Sequence, residues 1–227
     1  MSHHAVAPAL TIDIYSDVVC PWCYIGKRRL EGALDQWGQS SARRTHRMTW
    51  RPFELNPTMP QSGMDRRVYL EAKFGGPEAL RSIQDRVTAV GAKEGIPFAF
   101  DRIRTAPNTF NAHRLIAYAA QQQKQDDVVE LLFHSYFIEG VDIGDREVLA
   151  SIAERSGLDG ADAHRVLHSH EGESEVREQQ TRGRRLGIRA VPHFVLNERL
   201  AISGAQPVDT LCSAIEQVTN GSGIAQA

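Results

Sequence analysis

The chain has 227 residues, 26 Lys and Arg against 28 Asp and Glu, and a formal net charge of −2. That balance excludes the strongly basic surface of a general nucleic-acid binder, and no run approaches the roughly 18 apolar residues of a membrane span. Apolar residues make up 41% of the sequence, which suits one large domain or a domain with a sizeable insertion.

Residues 1–9 show no basic start followed by a long apolar segment, so no secretory signal is expected and the cytoplasm is the expected compartment. Residues 10–15 alternate apolar Leu10, Ile12 and Ile14 with polar neighbours, as a strand with one buried face does. Ile25, Leu30, Ala33, Leu34 and Trp37 then recur at helical spacing, and Gly38 offers a C-terminal stop. The Cys20-Pro21-Trp22-Cys23 run therefore falls where a strand ends and a helix begins. The first turn of a helix presents unpaired backbone N–H groups and the positive end of the macrodipole, and both favour a thiolate over a thiol.

Cys20, the outer member, is the expected attacking sulfur, with Cys23 one helical turn beneath it and within reach of a disulfide. Pro21 suits the first helical position because it lacks an N–H that would have no partner there. A structural zinc would need four ligands, and Cys212 is the only further cysteine, while two inert core thiols are the other plain reading. In a reducing compartment a redox-active pair is the better account of such a motif. Asp13 and Asp17, near the strand end, read as solvated acids rather than as groups tuning proton transfer.

A second strand is expected over 46–53, with Met48, Trp50 and Pro52 alternating, and a loop over 54–63. From 64 to 187 the pattern is helical: 65–74 ending at Gly75-Gly76, then 77–93, and after a short extended run at Phe98 to Phe100 a helix capped by Asn108. Helices over 126–139, 145–156, 159–168 and 174–186 follow, the last laced with Glu173/Arg177 and Glu178/Arg182 pairs. Strands at 191–196 and 200–203 flank a turn at Asn197, and Pro207 opens a final helix on whose apolar face Cys212 reads as a buried, inert thiol. The arginines at 43, 44 and 47 and at 182, 184, 185 and 189 read as solvated faces, and residues after Gly221 as frayed. His164 and His168, with His170 close by, have metal-pair spacing but no carboxylate at a motif position, so they read as surface histidines and no metal is expected.

This order of elements is an α/β thioredoxin fold with a large all-helical insertion between its βαβ and ββα halves. Residues 9–60 and 188–220 are expected to form the thioredoxin-like domain and 61–187 the inserted one.

Three segments, YSDVVCPWCYIG over 15–26, NTFNAHRL over 108–115 and GIRAVP over 187–192, resemble the DsbA-type thioredoxin-fold family and its FrnE-like cytoplasmic branch, and the resemblance covers nearly the whole chain. It implies a thiol-disulfide oxidoreductase or isomerase with Cys20 as nucleophile, Cys23 as resolving thiol, and a cis Val191–Pro192 peptide beside them. Pro21, Trp22, Val191 and Pro192 would contact substrate, and His113 would face the dithiol, although an ordinary polar helix position is an equal reading of that histidine. No tightly bound cofactor is implied, glutathione would serve as redox partner, and the substrates would be protein or small-molecule disulfides and thiols, with neither nucleic acid nor membrane as partner and a homodimer left open. The rival is a glutathione-dependent isomerase or transferase of the 2-hydroxychromene-2-carboxylate isomerase or kappa class, which resembles this chain but usually replaces the first cysteine with a hydroxyl residue. A binding or holdase module using the groove between sheet and helical cap is a third reading.

Overall fold

A computed structural model describes residues 10–39 and 45–220. β1 (Leu10–Ser16) buries Leu10, Ile12 and Ile14, as the alternation predicts, and its last two residues, Tyr15 and Ser16, are buried as well. α1 (Pro21–Gln39) buries Ile25, Leu30, Ala33, Leu34 and Trp37 and runs one residue past Gly38, the expected stop. β2 (His46–Pro52) pairs in parallel with β1 from Leu10 opposite His46 to Ser16 opposite Pro52. The expectations for 1–9, for Arg43 and Arg44, and for the tail beyond residue 220 lie outside the described residues.

The helical block follows. A two-residue strand, β3 (Met64–Asp65), leads into α2 (Arg66–Phe74) and α3 (Pro77–Lys93); β4 (Thr105–Ala106) pairs antiparallel with β3. Two residues per strand carry no periodicity, so this ladder has no sequence signal. Next come α4 (Phe110–Ala120), α5 (Gln125–His134), α6 (Arg146–Arg155), α7 (Gly160–Leu167) and α8 (Glu173–Arg185). Asp65, Asp145 and Asp159 start α2, α6 and α7 by accepting hydrogen bonds from first-turn N–H groups, which is why these boundaries are legible from sequence.

Two local expectations change. The helix expected over 126–139 ends as α5, and a π-helical turn (Ser135–Glu139) carries the chain onward with the consecutive rings of Tyr136 and Phe137 both buried. Phe98 to Phe100 forms no strand; Ala99 N–H bonds to the Phe137 carbonyl at 2.9 Å, and the Phe98 and Phe100 rings stack at 5.0 Å. The aromatic cluster that results decides the local backbone: Phe98 meets Phe137 edge-on at 5.2 Å, and Tyr24 of α1 stacks on Phe133 at 4.9 Å. It fastens α1 to the helical block.

β5 (His193–Leu196), β6 (Leu200–Ser203) and α9 (Val208–Asn220) complete the chain. β5 is antiparallel to both β1 and β6, giving the order β2-β1-β5-β6, and α9 packs against α1. One parallel and two antiparallel pairings in that order, with helices inserted between β2 and β5, make an α/β thioredoxin fold with a helical insertion. The sheet sets the end of β1 beside the start of β5, so residues 20 and 191 meet although far apart in sequence.

Candidate functional site

Cys20 stands immediately before Pro21, the first residue of α1, with its N–H on the Asp17 carbonyl (3.0 Å) and its own carbonyl accepting from Cys23 N–H (3.0 Å). Cys20, Cys23 and Cys212 are free thiols. Cys20 Sγ lies 3.7 Å from the Val191 carbonyl oxygen, and the Val191–Pro192 peptide is cis. Cys20 is 6% exposed and Cys23 1%, so Cys20 is the more accessible of the two residues.

Burial pushes the Cys23 thiol well above its ordinary range, and its hydrogen bond to Cys20 and the negative field of that sulfur push the same way; the Ser16 hydroxyl and the Asp17 backbone pull against them. Cys23 is therefore held as a thiol.

The cis-proline segment is seated directly on α1. A Cβ built on Gly26 would stand 2.8 Å from Pro192 Cγ and 3.2 Å from Phe194 Cζ. A pyrrolidine ring cannot swing aside, so Gly26→Ala is expected to overpack this contact at a cost of about 1–3 kcal/mol, more than the roughly 1 kcal/mol that alanine gains in a helix interior. Gly38, with nothing within 4 Å of its Cβ position, provides the opposite case on the same helix. Urea midpoints are expected to fall for Gly26→Ala and to rise slightly for Gly38→Ala; a rise for both would refute the tight seat.

Asp17 is not the solvated acid that the sequence suggests. It is 1% exposed; its Oδ2 accepts the Leu55 N–H at 2.7 Å, and its Oδ1 stands 3.5 Å from Nε2 of His113, itself buried. The chain turns from β1 into α1 beneath α4, and the loop after β2 supplies the amide that this carboxylate needs. Asp13 does keep partial solvent contact, pairing with Arg51 at 3.0 Å. His113 thus reaches Asp17, three residues before the first cysteine. Beside it lies a cavity of about 10 Å³ lined by Ser16, Trp50, Ile116 and His113, close to the volume of one water. Ser16, which sequence reasoning missed, is 4% exposed, and its hydroxyl favours the ionised form of Cys23. Its one signal is its place directly before Asp17 at a strand end, where the alternation stops.

Trp22 is partly buried, with the Arg86 guanidinium from α3 5.9 Å from its ring centre, so it links the motif to the helical block. Cys212 is half-buried rather than buried: α9 sets its sulfur 3.5 Å from the Ala33 carbonyl and 3.2 Å from Gln36 Oε1, at the edge of the apolar stripe. Burial first, then Asp209 and Glu216, push this thiol up as well.

A sheet of this order, with a Cys-x-x-Cys pair entering the first helix and a cis-proline opposite it, defines a thioredoxin-type thiol protein. The chain belongs to the DsbA-like thioredoxin domain family, whose model matches residues 11–216. It is similar to a probable DsbA oxidoreductase from Streptomyces coelicolor, at 28% identity and a TM-score of 0.86 over 96% of this chain and 93% of that one. A 2-hydroxychromene-2-carboxylate isomerase shares the fold at 18% identity and a TM-score of 0.64, over 96% of this chain and all of the other. The cytosolic disulfide reductase DsbM of Pseudomonas aeruginosa, solved with GSH, does so at 19% identity and a TM-score of 0.61, over 91% and 98%. The family is one of thiol oxidoreductases and isomerases. Among the described residues no helix is long and apolar enough to cross a membrane.

Proposed function

We propose that this chain catalyses thiol-disulfide exchange through the Cys20–Cys23 dithiol, acting on protein or small-molecule disulfides with glutathione as redox partner, in the cytoplasm. The observation that carries this reading is the free Cys20 sulfur at the start of α1, 3.7 Å from the Val191 carbonyl, with the more deeply buried Cys23 in contact with it.

In the proposed reaction the Cys20 thiolate attacks one sulfur of a substrate disulfide. A Cys20–substrate disulfide forms and the other substrate sulfur leaves as a thiolate. Cys23 stays protonated while Cys20 is charged. Once Cys20 is tied up in the mixed disulfide, its negative field on Cys23 is gone and Cys23 ionises more readily. Its sulfur then attacks Cys20 Sγ, the Cys20–Cys23 disulfide forms and the second substrate sulfur leaves. The protein has lost two electrons and the substrate disulfide has gained them; two glutathione thiols, oxidised to glutathione disulfide, restore the dithiol. The backbone of Val191 lies where an extended substrate segment would pair, and Pro21, Trp22 and Pro192 border the same place. His113 and Asp17 act in this scheme as a buried support under the β1–α1 turn. Residues 61–187 are read as a cap over this site and 9–60 with 188–220 as the body that carries it.

The competing reading is a glutathione-dependent isomerase or transferase. The fold shared with the isomerase favours it; the cysteine at position 20, where that class usually carries a hydroxyl, weighs against it. The two separate in one assay series. The reduced chain is expected to reduce insulin disulfides while forming one Cys20–Cys23 disulfide per turnover. No exchange, together with glutathione-dependent turnover of a small aromatic substrate, would replace this proposal with the rival.

A further inference from the structure

The sequence lacks a carboxylate at motif spacing from His164 and His168, but the fold brings one in from another helix. Glu147, in the first turn of α6, points at the imidazoles of His164 in α7 and of His168, which caps the C-terminus of that helix: its Oε1 lies 3.2 Å from His164 Nε2 and 3.5 Å from His168 Nε2. The two rings stack with centres 4.1 Å apart, so their Nε2 atoms converge on the same oxygen. A tetrahedral zinc ion with bonds of roughly 2.0–2.1 Å holds its ligand atoms about 3.3 Å apart. The spacing of the Glu147 oxygen from each imidazole nitrogen matches that value.

A backbone contact fixes the orientation of the second ring. His168 Nδ1 is 3.0 Å from the His164 carbonyl oxygen, which can only accept, so Nδ1 carries the hydrogen. In the neutral ring Nε2 then presents a lone pair towards a carboxylate oxygen. A backbone carbonyl that fixes the tautomer of a ligating histidine is also the usual outer-shell partner in metal sites.

We propose that Glu147, His164 and His168 form a surface site for a divalent transition metal, zinc by ligand type, that clasps α6 to α7. Two imidazoles and a carboxylate leave a fourth position for water, which would face the open cleft lined by Gln61, Ser62, Asp142 and Asp145. Asp142 adds favourable charge there and Arg146, lining the same cleft, opposes it. All three ligands are exposed, so metal enters without unfolding. The site is independent of the dithiol chemistry.

The test uses the full chain with Cys20 and Cys23 oxidised to a disulfide, which removes their thiolates as competing ligands. His3 and His4 stay in every protein compared, so their contribution cancels. Zinc alone is titrated against a chromophoric chelator, and thermal midpoints are read with and without zinc. The parent is expected to retain one more zinc per chain than His164→Ala or His168→Ala, and zinc is expected to raise the parent's midpoint but not theirs. Glu147→Gln keeps both imidazoles and the side-chain shape, so it is expected to fold as the parent does and to bind zinc at least an order of magnitude more weakly. Equal stoichiometry and equal midpoint shifts in all four proteins would overturn the site and leave the cluster as a protonated histidine paired with a glutamate.

Discussion

Cys20→Ser is expected to lower disulfide exchange to below roughly a thousandth of the parent rate, which corresponds to about 4 kcal/mol of barrier. A serine hydroxyl is not ionised at neutral pH and forms no mixed disulfide, so the first covalent step is lost. Cys23 does not replace it: that sulfur is 1% exposed, and burial holds it as a thiol. Serine is nearly the size of cysteine, so the unfolding free energy measured in urea is expected to stay within about 1 kcal/mol of the parent's. Insulin reduction and unfolding measured on the same preparation separate lost chemistry from lost fold. Activity above a tenth of the parent's would show that another group attacks.

The largest effect on stability is expected at Arg114. It is 1% exposed, and its guanidinium donates to the carbonyls of Val166 (2.6 Å), Leu167 (3.3 Å), Ser169 (2.7 Å) and Glu171 (2.8 Å) and to Asn111 Oδ1 (2.9 Å). These carbonyls end α7 and form the bend that leads into α8, and a cation there also meets the negative end of the α7 dipole. Methionine fills the space of the stem but supplies no donors. The carbonyls of Val166, Leu167, Ser169 and Glu171 then each lose a charged donor and the buried ones gain none in its place, so the net loss for Arg114→Met is expected at roughly 3–5 kcal/mol. Arg114→Lys is expected to recover only a small part, because one ammonium cannot span a fork of five acceptors. Urea unfolding of both variants checks this, and a loss under about 1 kcal/mol for the methionine variant would refute the clamp.

Arg114 also marks where sequence reading stops. Features set by neighbours in sequence were legible: the alternation of β1, the bounds of α3, the aspartates that open α2, α6 and α7, and the hairpin around Asn197. The thioredoxin-type order with its helical insertion followed from them, and the fold agrees. Features set by distant partners were not. Arg114 and His113 look like ordinary polar positions on α4 until the loop after α7 and the Asp17 carboxylate arrive from residues far away. Asp17 is misread for the same reason, since the Leu55 amide that bonds its Oδ2 and the His113 ring beside its Oδ1 come from other segments of the chain. Phe98 and Phe100 have the composition of a strand, yet their rings serve an aromatic cluster and no ladder forms. The pair Cys20 and Val191 lies between these extremes: the motif was visible, whereas its distance from the residue 171 positions later required the sheet.

The central claim is that Cys20 makes the first bond to substrate and Cys23 breaks it. Incubating Cys23→Ser with oxidised glutathione or a disulfide-bonded peptide, followed by mass spectrometry of the unreduced protein, reads that step directly. The predicted result is a stable mixed disulfide mapped to Cys20, absent from the Cys20→Ser protein. An adduct mapped to Cys212 alone, or none at either position while the parent still turns over, would contradict it.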